Sequence, residues 1–339
     1  MKNIGLIFDT GDNTGAGHFW RCFNLALLIK KKNRNFFFIS KKLNSFYKKL
    51  LKKHKFNYVI IKNYNLITEL QKIIYKFKLK ILITDLYILK TENKKKLRKN
   101  LEKLIVIDDF YKKKHCADAL INNNSMDKFQ KKVIKKLNPN TKLFLGKNYF
   151  ICSKELKIRK KESEKNTNIF VFFGSSDPTN ETGKFLEASK TLNKIKFKLL
   201  IGNLNKNYSK IKKICRTRSN IKLIYNLDNN KVINIMRGCK FAIGSAGINL
   251  TERLYLRIPS ITICTAINQK APLMNLKKKK LVYHLGYHNR VSSKNILNSI
   301  KLLNNNRNLL YKIKSKIKKE YIIENTSKNI KNKINILIN

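Results

Sequence analysis

Hydrophobic residues fall in short runs along this chain, separated by Lys-rich stretches long enough for a helix. Asn3–Asp9 reads as a buried strand. After it come Gly11, Gly15 and Gly17 among small polar residues, and from His18 to Lys32 the apolar Phe19, Cys22, Phe23, Ala26, Leu27 and Ile29 recur at helical spacing. The unit is strand, glycine loop, helix. Further apolar runs at Phe36–Ile39, Tyr58–Ile61, Ile81–Thr84 and Leu104–Ile107 continue the alternation that a parallel sheet requires. A first doubly wound domain is expected over residues 1–152.

Residues 153–168 (SKELKIRKKESEKNTN) are almost all polar and carry both signs of charge, as a solvated linker does. The pattern then restarts. Ile169–Phe173 predicts a strand running into Gly174-Ser175-Ser176-Asp177-Pro178 and a helix with Glu181 in its first turn. Phe197–Ile201, Ile221–Tyr225, Phe241–Ile243 and Ser260–Thr265 supply later strands, and the Lys/Asn/Ile tail from Asn295 predicts helices without chemistry. Residues 169–339 thus form a second domain. The expected fold class is α/β, with two Rossmann-like doubly wound domains facing across a cleft, since open parallel sheets bind ligands at the carboxyl ends of their strands.

With 339 residues, 42% of them apolar, the chain can bury substantial cores, which excludes wholesale disorder. Seventy-five Lys and Arg against 20 Asp and Glu give a net charge of +55, which ordinarily points to a polyanionic partner. Only eleven of those cations are Arg, and the Lys spread from Lys2 to Lys333 among abundant Asn and Ile, as AT-rich coding would impose. Nucleic-acid binders concentrate Arg and aromatics on one element, so no specific nucleic-acid partner is expected. The six cysteines lie at least 24 positions apart, which removes Cys-x-x-Cys metal and redox spacings and fits reduced thiols in a cytoplasm. Asp9 and Asp12 interrupt the first apolar run too early for a signal peptide, and no stretch of ~18 apolar residues offers a membrane span.

Three glycine loops that follow strands carry the candidate chemistry. In the first, Gly15 and Gly17 permit a tight turn ahead of a helix start, with His18 and Arg21 behind it. His18 and Arg21 stand where a dinucleotide fingerprint has its third glycine, so redox use of NAD is not expected. A histidine at the mouth of a sheet can take a proton from water, or it can merely cap its helix. The second loop is Gly174-Ser175-Ser176-Asp177 and the third Gly244-Ser245-Ala246-Gly247-Ile248-Asn249, with Glu252 one turn into the next helix. Each is either an anion site for a diphosphate or an ordinary capped turn, and neither is a Walker loop. Their joint presence in one domain favours a nucleotide. A carboxylate placed like Glu252 can accept both hydroxyls of a ribose. Tyr87 follows the strand at Thr84, either over the cleft or as a buried aromatic. Asp108-Asp109 is either half of a metal site or a charged strand end, and Asn268-Gln269 either binds ligand or forms a polar loop. His54, His115, His284 and His288 receive no role.

Taken in order, these residues resemble the nucleotide-sugar hydrolases of pseudaminic acid biosynthesis, which release UDP from UDP-2,4-diacetamido-2,4,6-trideoxy-β-L-altropyranose. The resemblance covers nearly the whole chain. It rests on Asp9 through Ala26 (Asp, a variable stretch, Gly-x-Gly-His, Arg-Cys, Leu-Ala), Asp85-x-Tyr87, Asp108-Asp109, Phe173-Gly174 with Ser176-Asp177-Pro178, Gly244 through Ser260, and Asn268-Gln269. The family is similar to inverting glycosyltransferases of the GT-B fold. The resemblance implies a UDP-sugar between the domains, water as co-substrate, no metal and no other cofactor. It makes His18 the catalytic histidine, Tyr87 and Asn268 its partners around the sugar and diphosphate, and Glu252 the ribose-binding acid. Gly174-Ser175 stands where many members have Gly-Gly, and Gly247-Ile248-Asn249 where many have Gly-Ser-Thr. Ile248 has no hydroxyl, so phosphate binding there falls to backbone N–H groups. The expected protein is a monomeric cytoplasmic hydrolase that attacks the anomeric carbon with inversion. A glycosyltransferase of the same architecture and a basic binding module without catalysis are the competing functions.

Overall fold

Strand β1 (Lys2–Phe8) is buried on both faces, as its unbroken apolar run requires. Ile4, Leu6 and Phe8 enter one core with Phe19, Cys22, Phe23 and Ala26 of the following helix, while Ile7 enters a second core with Ile39 and Leu82. A period of two divides the strand between the layers. The computed structural model describes residues 2–11, 15–63, 67–158, 167–322 and 326–339. The chain divides into two compact units, Met1–Cys152 with Asn325–Asn339, and Ser153–Glu324.

In the first unit β1 is followed by α1 (Gly17–Ile29), β2 (Arg34–Ser40), α2 (Ser45–Lys53), β3 (Asn57–Ile60), α3 (Ile67–Lys76) and β4 (Leu79–Asp85). Then come α4 (Thr91–Arg98), β5 (Lys103–Ile107), β6 (Ala119–Asn122), α5 (Lys128–Leu137) and β7 (Lys142–Leu145). The second unit runs β8 (Ile169–Phe172), α6 (Glu181–Ala188), β9 (Phe197–Ile201), α7 (Tyr208–Arg216), β10 (Ile221–Tyr225) and α8 (Asn229–Arg237). It continues with β11 (Phe241–Ser245), α9 (Ile248–Tyr255), β12 (Ser260–Cys264), α10 (Ile267–Lys278), β13 (Tyr283–Tyr287), α11 (Ser293–Asn305) and α12 (Arg307–Glu320). The last helix is α13 (Thr326–Ile338).

Both sheets are parallel and doubly wound, ordered β3-β2-β1-β4-β5-β6-β7 and β10-β9-β8-β11-β12-β13. The strand order reverses between β1 and β4 in the first and between β8 and β11 in the second. At such a switch point the two flanking loops diverge to opposite faces and leave a crevice beyond the strand ends. The candidate loops therefore sit at both reversals: residues 9–11, 15–17 and 86–90 in one unit, 173–180 and 246–247 in the other.

The pattern of the tail assigns all C-terminal helices to the second domain, but α13 belongs to the first unit. Its apolar face of Ile330, Ile334, Leu337 and Ile338 enters the core of α1 and β1. Arg34 donates to the side chains of Asn335 and Asn339, and Lys2 Nζ to the Ile338 carbonyl. The start of the polar segment 153–168 is also no free linker. Lys154–Lys157 forms a 3-10 turn capped by Ser153, to which Arg237 of α8 binds through the Glu155 carboxylate and carbonyl. Residues 159–166 lie outside the described ones. Strands β6, β7 and β13 carry no run long enough to stand out in sequence, and β7 and β13 are edge strands that need only partial burial. Among the described residues no helix is long and apolar enough to cross a membrane.

Candidate active site

At the switch point of the first unit, Gly15 adopts φ +65°, open to glycine without strain, and its amide closes the loop on the Gly11 carbonyl at 2.8 Å. Residues 12–14 lie outside the described ones. The turn delivers Gly17 and His18 as the first residues of α1, which has no side-chain cap. His18 therefore does not cap its own helix. Its Nδ1 lies 2.7 Å from Oδ1 of Asp85, the last residue of β4, which is fully buried and in register with Phe8 of β1.

Arg21, one turn along α1, organises the rest. Its Nε and Nη2 clamp the two oxygens of Asp85 at 2.7 and 2.5 Å, and its Nη1 reaches Asp109 Oδ1 at 2.7 Å. The other Asp109 oxygen accepts the hydroxyl of Tyr87. Tyr87 packs edge-on against the His18 ring, with centroids 4.8 Å apart. One guanidinium thus holds two carboxylates, each bound to a second polar residue of the site.

The electrostatics settle the protonation pattern. Burial alone would push the Asp85 carboxyl up, but the charge of Arg21, His18 and their hydrogen bonds outweigh it and hold it below the ordinary carboxylate value. Burial would likewise push Arg21 down, and Asp109 and Asp85 overcome it and keep the guanidinium charged. An ionised Asp85 only accepts, so His18 Nδ1 carries a proton and donates it, and in the neutral ring the lone pair is then on Nε2. Arg21 Nη2, 3.1 Å from that same Nδ1, therefore makes a contact there and not a bond. Burial, with Asp109 next, pushes the Tyr87 phenol well up, so it stays protonated.

Asp108 and Asp109 do not converge on a metal. Asp109 serves Arg21 and Tyr87, whereas Asp108 turns to the Phe110 amide at 2.8 Å and to His115 Nε2 at 3.4 Å. Burial pushes Asp108 up to about 6 and His115 down to about 3. Among the described residues no cluster of three His, Cys, Asp or Glu could hold a metal.

In the second unit the two glycine loops lie side by side. Gly174 takes φ +103°, and a Cβ built there would stand 3.8 Å from Ser245 Oγ. Ser175, Ser176 and Ala246 are half-buried and Gly247 is exposed. The two oxygens of Asp177, read from sequence as a substrate contact, accept the Glu181 and Thr182 amides at 3.0 and 2.9 Å and so satisfy the first turn of α6 from ahead of its N-cap, Asn180. Gln269 behaves similarly, its Oε1 accepting the Thr265 amide at the start of α10, where Asn268 also stands. Glu252 is 3% exposed and accepts Asn229 Nδ2 at 3.0 Å and Asn249 Nδ2 at 3.1 Å. Burial pushes it up to about 7 against those hydrogen bonds and the charge of Arg253. A carboxylate oxygen has two lone pairs, so each retains capacity for a hydroxyl.

The structure thus brings His18, Arg21 and Tyr87 together in one unit, and Gly174, Ser245 and the residues after them in the other. Sequence reasoning gave no role to Asp85 as the partner of His18, to Asp109 as the tie between Arg21 and Tyr87, or to Asn229 beside Glu252. The signal for Asp85 was present, since it ends a strand beside the glycine loop.

No protein-family model matches the chain. An uncharacterized protein of Methanocaldococcus jannaschii, MJ1062, is 32% identical over an alignment of 132 residues that covers 36% of this chain and 25% of that protein. The match thus spans about a quarter of that relative's length. Among solved structures, an S. aureus MnaA–UDP complex superposes with TM-score 0.70 at 12% identity, covering 100% of this chain and 97% of that one. Medicago truncatula UGT71G1, complexed with UDP-glucose, gives 0.67 at 10% identity with coverages of 99% and 97%. MurG of Acinetobacter baumannii gives 0.65 at 11% identity over 99% of both chains. At these identities the likeness defines the fold: two Rossmann-like α/β units of the GT-B type.

Proposed function

We propose that the chain is an enzyme that cleaves the anomeric C–O bond of a UDP-linked sugar, with His18 as the base. The observation that carries this reading is the Asp85–His18 pair at the switch point of the first sheet. With its Nδ1 proton turned to Asp85, the ring would offer Nε2 as acceptor at the strand ends, where an open sheet binds its ligand. The nucleophile gives its proton to Nε2 as its oxygen attacks the anomeric carbon. The C–O bond to UDP breaks, and its electron pair leaves on the diphosphate. Backside attack inverts the centre and needs no covalent intermediate. Glu252 would take the ribose hydroxyls, and the amides of the 174–176 and 245–248 loops the diphosphate. The UDP and UDP-glucose bound in two of the superposed structures support uridine as the nucleoside.

Two nucleophiles fit this base. Water makes the chain a hydrolase of a UDP-2,4-diacetamido-2,4,6-trideoxyhexose, in line with the ordered motif series from Asp9 to Gln269. A sugar or other hydroxyl makes it an inverting glycosyltransferase, the reading favoured by structural neighbours described as glucosyltransferases or glycosyltransferases. Incubation with a panel of UDP-diacetamido-trideoxyhexoses and other nucleotide sugars, following free UDP and free sugar, separates them. Equimolar UDP and free sugar without an acceptor means hydrolysis; UDP release that depends on an added acceptor means transfer; no UDP release from any donor would remove the proposal.

A further inference from the structure

Arg253 is fully buried in α9, beneath the loop that precedes that helix. Its Nη2 donates to the Ser245 carbonyl at 2.7 Å and its Nε reaches the Asn249 carbonyl at 3.3 Å, while its Nη1, shut off from solvent, has no partner. Among the described residues no carboxylate lies within ion-pair distance of it. The adjacent Glu252 is bound by Asn229 and Asn249 instead. Glu252 acts on the cation only through space, so the buried guanidinium keeps a positive charge with no hydrogen-bonded anion.

The loop above it offers the place. A trans peptide directs its C=O and N–H to opposite sides, so a Ser245 carbonyl turned down to Arg253 turns the Ala246 N–H away from it. Gly247, next in the chain, has φ −78°, which any residue adopts, and a Cβ built there meets nothing within 4 Å. Neither backbone nor packing within the chain requires glycine at that position. Close approach of a ligand to the loop would. Helix α9 starts at Ile248 without a side-chain cap.

We propose that Arg253 is a positioning residue for a diphosphate, turning the Ala246 amide outward and supplying from beneath the loop the positive charge that the phosphate oxygens meet. It discriminates for a nucleoside diphosphate over the bare nucleoside without touching either. This role rests on the reading of the 245–248 loop as the UDP site.

The test is calorimetry of the full chain with UDP and with uridine. Arg253→Met should lose about tenfold or more in UDP affinity, the scale of hydrogen bonding to a charged group, while uridine affinity changes less than about twofold. Gly247→Ala, which fits the unliganded chain, should show the same selectivity with an unchanged melting temperature. If the Met variant does not fold, Arg253→Lys, which keeps charge and stem but loses the planar fork, is judged by the same ratio. Equal losses for UDP and uridine, or unchanged UDP binding, in the Arg253 variant overturn the role. Wild-type protein that binds neither ligand overturns the UDP reading itself, and the role of Arg253 with it.

Discussion

Asp85→Asn tests the catalytic reading most sharply because the two side chains have the same shape. The carboxylate accepts from His18 Nδ1 and twice from Arg21, and it is wholly buried. An asparagine has one accepting oxygen where the carboxylate meets three donors; with that oxygen on Arg21 Nε, its NH2 faces both His18 Nδ1 and Arg21 Nη2 at the Oδ1 position. The imidazole must then accept at Nδ1 and carry its proton on Nε2, which removes the base. Loss of the correct tautomer costs about 10⁴ in turnover where a carboxylate backs a catalytic histidine, and ~10²–10⁴ is the general worth of a positioned base. Stability should fall as well, by about 3 kcal/mol, the low end for breaking a buried ion pair, because Asp109 still holds Arg21. The Asp85 carboxyl is held below its ordinary value, so its stabilisation is present above its unfolded pKa, about 3.9, and is lost as pH falls through the folded value. Wild type should therefore lose its stability advantage over the variant in that acid window. The assay is UDP release at neutral pH, with calorimetric UDP affinity and melting temperature measured in parallel. A folded Asp85→Asn protein that retains more than about a tenth of wild-type turnover would refute the tautomer argument.

His18→Asn should reduce turnover by ~10²–10⁴-fold and leave UDP affinity within about twofold, since the loops proposed to hold UDP lie in the other unit. Near-normal turnover would reduce the histidine to a packing role. Glu252→Gln should weaken UDP binding by about 1–3 kcal/mol, measured by calorimetry. Glu252 is raised from an ordinary 4.5 to about 7, so its contribution to stability is present below the lower value and lost as pH rises through the upper one. Glu252→Gln should remove that pH dependence, and an unchanged stability profile from pH 4 to 8 would contradict it. Asp177→Ala should lower stability by about 1–2 kcal/mol through loss of its two bonds to the first turn of α6, and denaturant unfolding should register it. An undiminished midpoint would mean that solvent replaces the carboxylate.

Periodicity along the chain determined most of the strands and their parallel arrangement, because a strand buried on both faces must be an unbroken apolar run, as Leu104–Ile107 and Ile169–Phe172 are. It also marked the glycine loops, because a tight exit from a strand into a helix leaves glycine in its own sequence. Tertiary structure alone decided which residues act together. His18 and Asp85 are 67 positions apart, and they meet because β1 and β4 are neighbours in the sheet, a pairing that no local pattern encodes. The same holds for Arg21 with Asp109 and for Asn229 with Glu252. Asp177 and Gln269, read from sequence as ligand contacts, bind amides of their own loops, because satisfying a helix start and binding an anion call on polar residues at the same loops, and only the fold shows where their side chains turn. The tail shows the limit most plainly. Its helical period was legible, but an amphipathic face does not name the core that covers it, and α13 found its own on the opposite terminus of the chain.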